Sequence, residues 1–582
     1  MSDDATIRTE PLRNDPFAFV RDLASRWDIV AIIVVIGILT FFAEASRGLL
    51  APMSKITGEA LSLDPVHLPV YAARTTLRMF TALAVSLLFT FTYGTWAAKS
   101  PRAEKLLVPL LDILQSVPIL GFLSVTLVFF MSLVPGRVLG AEFASVFIIF
   151  TSQAWNMAFS FYQSLRTLPD ELCEACGSFR LTPWMRFWQL EVPFAMPALI
   201  WNTMMSMSGS WFFVVASEAF SVGKTTVQLP GIGSYIAIAN EQGNLHAIGW
   251  AILTMLIVIL IYDQLIFRPL VVWGERFRID QEQGGHIQRS WALTMMQHSR
   301  IVARLHALFF AFVRWSGKRA PRPAALATLA RVGGDRRAGL VWFGILVLIV
   351  ALALWRIATM LIGETTLPEA LNVAGLAAIT MVRVLILIAL ATLLWVPVGI
   401  WVGLRPRATQ IVQPIAQFLA AFPANLLFPL AVLGIVTWKL NPDIWLSPLM
   451  ILGTQWYILF NVIAGASAMP QELRYASDNF GIRGWLWWRK VALPGVLPYY
   501  VTGAITASGG SWNAAIVAEL VSWRNVEVKA HGVGAYIDEA TTAGDFHRII
   551  LGITIMSLFV VCINRGFWRP LYYYAERKFR LT

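Results

Sequence analysis

The side chains able to do chemistry are few and dispersed. Cys173 and Cys176 form a single C-x-x-C, Gly223-Lys224-Thr225 ends like a phosphate-binding loop, seven histidines are scattered, and Arg78 and Arg383 interrupt apolar runs. A zinc site would need a second ligand pair and a redox dithiol usually lies beside a βαβ pattern, so the cysteines read as small residues on a helix. A phosphate loop needs G-x-x-x-x-G-K-[ST], because backbone N–H groups cradle the phosphates and the lysine reaches them. Here Glu218 stands where the first glycine belongs, in a predicted external loop. No zinc-protease or kinase signature occurs. The expectation is a chain that is not an enzyme, with no metal site and no cofactor of its own.

The remaining polar groups suit a pathway. Two stretches, NTMMSMSGSW from Asn202 and TGAITASGGSW from Thr502, are rich in small and polar residues inside otherwise apolar segments. Such helices face protein or a water-filled route, since polar groups are disfavoured against lipid; plain helix packing accounts for them nearly as well. Ser210, Trp211 and Glu218, with Ser511, Trp512 and Glu519, then cap these helices near the outer face as gate candidates, or as interfacial anchors. Arg78 and Arg383 are candidates for attracting an oxyanion with their planar donor forks, or for snorkelling or bonding between helices.

The elements that must position these groups are membrane spans. Of 582 residues 57% are hydrophobic and 14% charged, and the mean hydropathy is +0.64, outside the range of soluble domains. Apolar windows long enough for a hydrocarbon core of about 30 Å recur at 29–50, 74–98, 110–133, 141–163, 195–217 and 248–270, and again at 339–361, 377–402, 414–437, 444–466, 496–518 and 547–568. The net charge of +12 does not point to nucleic acid. Its basic residues gather in alternate loops (Lys99, Arg102 and Lys105; Arg166, Arg180 and Arg186; Arg405 and Arg407; Arg474, Arg483, Arg489 and Lys490) and at the C-terminus. By the positive-inside rule these loops and both termini are cytoplasmic.

The chain repeats itself. Arg78, Trp96 and Pro101 align at an offset of 305 with Arg383, Trp401 and Pro406; from Trp155 onward the offset is 301, pairing Glu171, Trp184, Pro193, Trp211 and Glu218 with Glu472, Trp485, Pro494, Trp512 and Glu519. GIGSYI at 231 matches GVGAYI at 532. Six spans per copy give parallel topology and a pseudo-twofold axis along the membrane normal. The expected organisation is an N-terminal cytoplasmic segment at 1–28, a first unit at 29–270, a linker at 271–338 and a second unit at 339–582. The linker holds 12 Lys or Arg against 4 acidic residues, and its apolar, basic stretch reads as a helix lying on the cytoplasmic leaflet.

Between the fourth and fifth spans of each copy lies a polar loop, LPDELCEACGSFRLTPWMRFWQLEVP and its counterpart MPQELRYASDNFGIRGWLWWRKVALP. Leu172, Ala175, Cys176 and Phe179, like Leu473, Ala476, Ser477 and Phe480, share one helical face, followed by a turn and a second apolar face. Such a helix–turn–helix outside the bilayer suits docking, or simply ties two spans. Its residues resemble the cytoplasmic loop of permease subunits of binding-protein-dependent ABC importers, whose signature is E-A-A, three residues, Gly, then a later Leu-Pro. The first copy keeps Glu174, Ala175 and Cys176 but has Arg180 at the glycine position; the second has Tyr475, Ala476 and Ser477 but keeps Gly481. Most of each half is similar to permeases of the nitrate, sulfonate and taurine group. The resemblance implies an all-α type I importer fold of about 12 transmembrane helices in two parallel six-helix repeats, in the bacterial inner membrane. It implies two ABC ATP-binding subunits carrying ATP-Mg, coupled through the two loops, with Glu171 and Glu472 among the coupling residues. A periplasmic or lipid-anchored solute-binding protein would deliver a small anion such as nitrate, sulfonate, taurine or bicarbonate. The alternatives are a 12-helix secondary transporter, a membrane scaffold, or a permease for a pyrimidine-like solute.

Overall fold

The computed structural model describes residues 61–116, 119–222, 225–274, 300–319, 366–524 and 526–579, with isolated positions within 36–40 and 344–359 and at 277. Apart from those positions, the segment 1–28, the predicted spans at 29–50 and 339–361 and most of the linker lie outside the described residues.

The first unit runs through α1 (Leu68–Phe89, extended through a π turn at Thr90–Gly94 to Lys99), α2 (Pro101–Ser116), α3 (Leu123–Leu133) and α4 (Val138–Arg166). The loop helices α5 (Asp170–Ser178) and α6 (Pro183–Arg186) lead to α7 (Val192–Glu218), an antiparallel hairpin of β1 (Ala219–Val222) and β2 (Thr225–Gln228), α8 (Ile232–Gln242) and α9 (Leu245–Tyr262, extended to Gly274). After the linker helix α10 (Arg300–Arg319) the second unit repeats the series. It comprises α11 (Leu367–Gly403), α12 (Pro406–Ala421), α13 (Phe428–Thr437), α14 (Pro442–Trp445), α15 (Ser447–Ile451) and α16 (Trp456–Ser467), loop helices α17 (Gln471–Asn479) and α18 (Gly484–Trp487), and α19 (Leu493–Ala518). The hairpin of β3 (Leu520–Trp523) and β4 (Val526–Lys529), α20 (Val533–Ala543) and α21 (Phe546–Ile563, extended to Phe579) complete it.

Among the described residues five helices are long and apolar enough to cross a bilayer: Pro65–Lys99, Val138–Arg166, Leu245–Gly274, Leu367–Gly403 and Phe546–Phe579. The number is seven if α12 with α13, bent by 71°, and α14–α15 with α16, bent by 44°, each count as one span. Helices α7 and α19 have 27 and 26 residues, about 40 Å at a helical rise of ~1.5 Å per residue, but Ser, Thr, Gly and Asn dilute their apolarity.

Three sequence expectations change. The fifth spans do not start near 195 and 496: the helix begins at Pro183 and Gly484 and passes through π turns at Phe187–Glu191 and Trp488–Ala492 ahead of Pro193 and Pro494. A π turn accommodates a proline that cannot donate to the α ladder. The run 444–466 is broken at Leu452–Gln455, whereas its counterpart α4 is one helix of 29 residues. Finally, each fifth span is followed by a two-stranded hairpin in register Ala219↔Gln228 and Leu520↔Lys529, so the fold is helical with two small sheets.

The units share one apolar core. Helix α2 packs on α21, α12 packs on both α7 and α9, and α19 touches residues 120–122 of the first unit. Third-span elements of each copy therefore lie against the sixth helix of the other, a reciprocal arrangement expected of a pseudo-twofold.

Candidate functional site: two ion clamps and two loops

Arg78 lies in the middle of α1, where an uncompensated charge would cost several kcal/mol. Its Nε donates to Glu142 Oε2 and its Nη2 to Glu142 Oε1, both at 2.6 Å. Its Nη1 donates to Glu218 Oε1 at 2.7 Å and to the Pro230 carbonyl at 3.1 Å. Glu142 comes from α4 and Glu218 from the last turn of α7, so one guanidinium joins three elements. Glu218 also accepts the Gly233 N–H at 2.7 Å, and Thr75 Oγ1 accepts the Ile232 N–H at 3.0 Å. The side chains of Arg78, Glu142 and Glu218 are 4%, 9% and 0% exposed.

The second unit builds the same clamp at matching positions. Arg383 donates to Asp443 Oδ1 at 2.6 Å and to Glu519 Oε1 at 3.2 Å. Thr380 donates to Glu519 Oε1 at 2.7 Å and accepts the Val533 N–H at 3.1 Å, while Gly534 N–H donates to Glu519 Oε2 at 2.7 Å. Asp443 aligns with Glu142 at the 301 offset but is one methylene shorter, and it sits on the short α14. Its carboxylate is shared with His531, whose backbone N–H donates to Oδ1 at 2.7 Å and whose Nδ1 lies 3.0 Å from Oδ2. Asp443 is 37% and His531 77% exposed. The second clamp is open where the first is sealed.

The GIG and GVG motifs fit because of space, not backbone angle. Gly231 and Gly532 have extended backbones, yet a Cβ at Gly231 would lie 2.3 Å from the Glu218 carboxyl carbon, and one at Gly532 would lie 2.1 Å from Glu519 Oε2. A Cβ at Gly233 or Gly534 would meet the Val215 or Ala515 carbonyl at 2.2 or 2.3 Å. The motif lets the backbone between hairpin and outer helix close over a buried carboxylate. Sequence reasoning singled out Arg78, Arg383, Glu218 and Glu519 separately and missed Glu142, Asp443, Thr75 and Thr380. The available signal was an acidic residue at the same repeat position at the outset of both fourth spans, Glu142 and Asp443.

Of the alternatives for the arginines, these contacts match bonding between helices: in this conformation the Arg78 guanidinium donates to two carboxylates and a carbonyl. The other gate candidates are also packed rather than open. Trp211 and Trp512 are 0% and 1% exposed in the shared core, not interfacial anchors. Ser210 Oγ lies 2.7 Å from Ser152 Oγ and Ser511 Oγ 2.9 Å from Thr454 Oγ1. The small residues of α7 also let the units approach closely: a Cβ at Gly209 would lie 2.5 Å from the Tyr457 hydroxyl. Beside it a narrow cavity is lined by Trp201, Met204, Met205 and Ser208 of one unit and Gln417 and Phe460 of the other. Nearby, the Asn425 side chain donates to the Phe212 carbonyl at 3.2 Å, and the Ile119 N–H donates to the Asn513 side chain.

Both polar loops fold as short helix, turn, short helix. The turn closes with the same pair of bonds, Leu181 N–H to Cys176 O at 3.1 Å with Arg180 N–H to Gly177 O at 3.0 Å, and Ile482 N–H to Ser477 O at 2.9 Å with Gly481 N–H to Asp478 O at 3.1 Å. This left-handed helix cap favours glycine. Gly481 has φ +65°, and Arg180, at the glycine position of the first copy, is held at φ +51°, which costs a side-chain-bearing residue about 1–2 kcal/mol. Glu171, Glu174, Ala175, Glu472 and Tyr475 are exposed, Cys176 and Ala476 half-buried and Ser477 buried. Phe179 and Phe480 do not join a buried face: they project at 77% and 81% exposure. The first loop is wired by charge, the Glu191 carboxylate forming ion pairs with Lys99 (Nζ–Oε2 2.7 Å) and Arg186 (Nε–Oε1 3.1 Å). In the second copy Leu404, Trp487 and Ala492 stand at those three positions.

The profile of the family described as binding-protein-dependent transport system inner membrane component matches the chain twice, over residues 90–268 and 395–567. Similar proteins include the bicarbonate transport system permease protein CmpB of Synechococcus elongatus, 28% identical over 177 residues, 30% of this chain and 60% of that protein. The glycine betaine/carnitine transport permease protein GbuB of Listeria monocytogenes is 28% identical over 185 residues, 31% and 60% of the two chains. The nitrate import permease protein NrtB of Leptolyngbya laminosa is 27% identical over 188 residues, 32% and 63%. The matches thus span about three fifths of the length of these relatives.

Proposed function

The chain belongs to the family of binding-protein-dependent transport system inner membrane components, present as two fused units in a multi-pass membrane protein, and we propose that it forms the whole solute pathway of an ATP-driven importer. The observation that carries this reading is the pairing of two family units in one chain through reciprocal contacts of their third, fifth and sixth helices, which supplies both halves of a pathway that single-unit permeases assemble by dimerising. The units are 29–270 and 339–582, joined by a basic linker, and both termini are cytoplasmic.

In this reading two ATP-binding subunits, which hold ATP-Mg, dock on the polar loops. The support is the pair of equivalent aromatic side chains, Phe179 and Phe480, projecting beside Glu174 and Tyr475; exposed aromatic residues at matched positions suit pockets on a partner. The helix from Pro183 through α7, and from Gly484 through α19, is continuous with each loop. Movement of a loop therefore reaches the Gly209–Tyr457 contact at the unit interface without a joint. A binding protein delivers the solute at the opposite face, where the hairpins and α8 and α20 lie. The solute is a small anion of the bicarbonate or nitrate kind, after the names of two relatives; the betaine permease among the relatives makes a zwitterion the second reading.

The test is co-purification with candidate ATP-binding subunits, followed by ATPase activity and uptake in liposomes with and without the binding protein. Labelled bicarbonate, nitrate, taurine and glycine betaine form the solute panel. Stimulated turnover that Phe179→Asp and Phe480→Asp both abolish, with uptake of an anion, is the expected result. Uptake that persists without any ATPase would point to a secondary transporter, and uptake of betaine alone would replace the anion assignment.

A further inference from the structure

The linker helix α10 does more than join the units. It packs on α6 of the first loop: Val313 is 1% exposed, and Trp184 Nε1–H donates to Ser316 Oγ at 3.0 Å. Trp184 is 39% exposed, while Trp485, its counterpart in the second loop, is 76% exposed. The two loops are thus braced differently by the same chain.

The other side of α10 carries Leu308, Phe312 and Trp315, at i, i+4 and i+7, exposed by 65%, 56% and 52%, with the last two rings 6.0 Å apart. Arg304 and Arg314 are exposed at the edge of this stripe. The helix has 20 residues, yet it is not among those apolar enough to span a bilayer. An apolar stripe bordered by guanidiniums on a helix too polar to cross is the pattern of a segment lying in the plane of an anionic lipid surface, and the linker around it is strongly basic.

We propose that α10 is a lipid-dependent brace: its exposed stripe inserts into the anionic leaflet beside the loops while its opposite side holds Trp184, so that anionic headgroups steady the first loop and not the second. This rests on the loops being the cytoplasmic docking elements, but its lipid-dependent readouts need no ATPase. The full chain, with Cys173, Cys176 and Cys562 replaced by Ser, is labelled with an environment-sensitive fluorophore at Ala311→Cys. It is then placed in vesicles of phosphatidylcholine alone or mixed with phosphatidylglycerol, with or without quencher-bearing lipid. The expected result is a blue shift and quenching that depend on phosphatidylglycerol, with membrane partitioning of the helix falling about thirtyfold in the Arg304→Gln, Arg314→Gln double variant, each basic group near the surface contributing on the order of 1 kcal/mol.

A spin label at Ala175→Cys in the first loop is expected to slow in phosphatidylglycerol, whereas one at Ala476→Cys in the second is not. Trp184→Phe, which keeps the ring and removes the donor, is expected to erase that difference while leaving the Ala311 label embedded. Equal label depth in both lipids would overturn the proposal, as would an equal response of the two loops, or shielding of Ala311 by an added ATPase instead of by lipid. Failure of the importer reading would appear separately, as absent ATPase-dependent uptake with these spectra unchanged.

Discussion

The two ion clamps begin from the same duplicated positions and end with different exposure. In the first, Glu142 reaches Arg78 with both carboxylate oxygens from a straight helix, and the assembly is closed to solvent. In the second, Asp443 offers one oxygen to Arg383 from the short helix ahead of a 44° bend, and divides its carboxylate with the exposed His531. The loops at the other end diverge in parallel: charge, an arginine cap and a docked linker helix in the first unit, uncharged residues at the matching positions and a glycine cap in the second. A chain that fuses its two units can specialise them, whereas a homodimer must use one sequence for both. At both ends the first unit is the more closely tied and the second the more open to solvent.

The strongest way to break that comparison is to remove each arginine. Arg78→Gln leaves Glu142 and Glu218 buried without their cation, and breaking a buried pair of this kind costs about 3–5 kcal/mol. The expectation is loss of folded protein from the membrane and a large fall in thermal stability in detergent. Arg383→Gln, beside a carboxylate that water already reaches, is expected to cost roughly half as much; equal losses would show that the two clamps are equivalent. Next in size is Glu191→Gln, which leaves Lys99 and Arg186 without their shared partner and is expected to cost about 1–3 kcal/mol. Its readout is ATP turnover retained with uptake reduced, while Ala492→Glu in the second loop gains no matching cations.

The loop caps sharpen the same contrast at a smaller scale. Arg180→Gly relieves a left-handed arginine and is expected to stabilise by up to about 1 kcal/mol after the added chain entropy of glycine, whereas Gly481→Arg costs about 1–2 kcal/mol; thermal shift of the two variants checks both signs. A pH-dependent contrast concerns the outer helix α20. Burial, with Glu527 and then Glu539 nearby, pushes the Asp538 carboxyl up to about 7 from its ordinary value of 3.8, and the first unit has Ala237 at this place. The unfolded chain releases this proton near pH 4 and the folded chain keeps it until about 7. Stability from this group is therefore greatest at low pH, declines as pH rises between those values, and is constant above them. Asp538→Asn is expected to flatten that part of a stability profile measured by scanning fluorimetry, and Ala237→Ser to leave it unchanged.

The sequence by itself determined the solvent of this protein, its duplication, its parallel topology and the location of the two loops. These depend on composition, span length, charge asymmetry and self-similarity, all of which are properties of residues in order along the chain. Phe179 and Phe480 were also legible as a matched pair, but their outward projection was not, because a two-turn pattern does not say which side a neighbour covers. What only the tertiary structure decided is which charges meet. Arg78 and Glu142 are separated by 64 positions and Arg78 and Glu218 by 140, and an ionisable group in an apolar run reads alike whether it faces solute, lipid headgroup or a carboxylate. Burial removes that ambiguity: without water, a guanidinium persists only where carboxylates are brought to it, and bringing them requires α1, α4 and α7 to pack around one point. The space cleared by Gly231 and Gly532 has the same origin, since nothing local demands a glycine there until a carboxylate from a helix end occupies the place of its side chain.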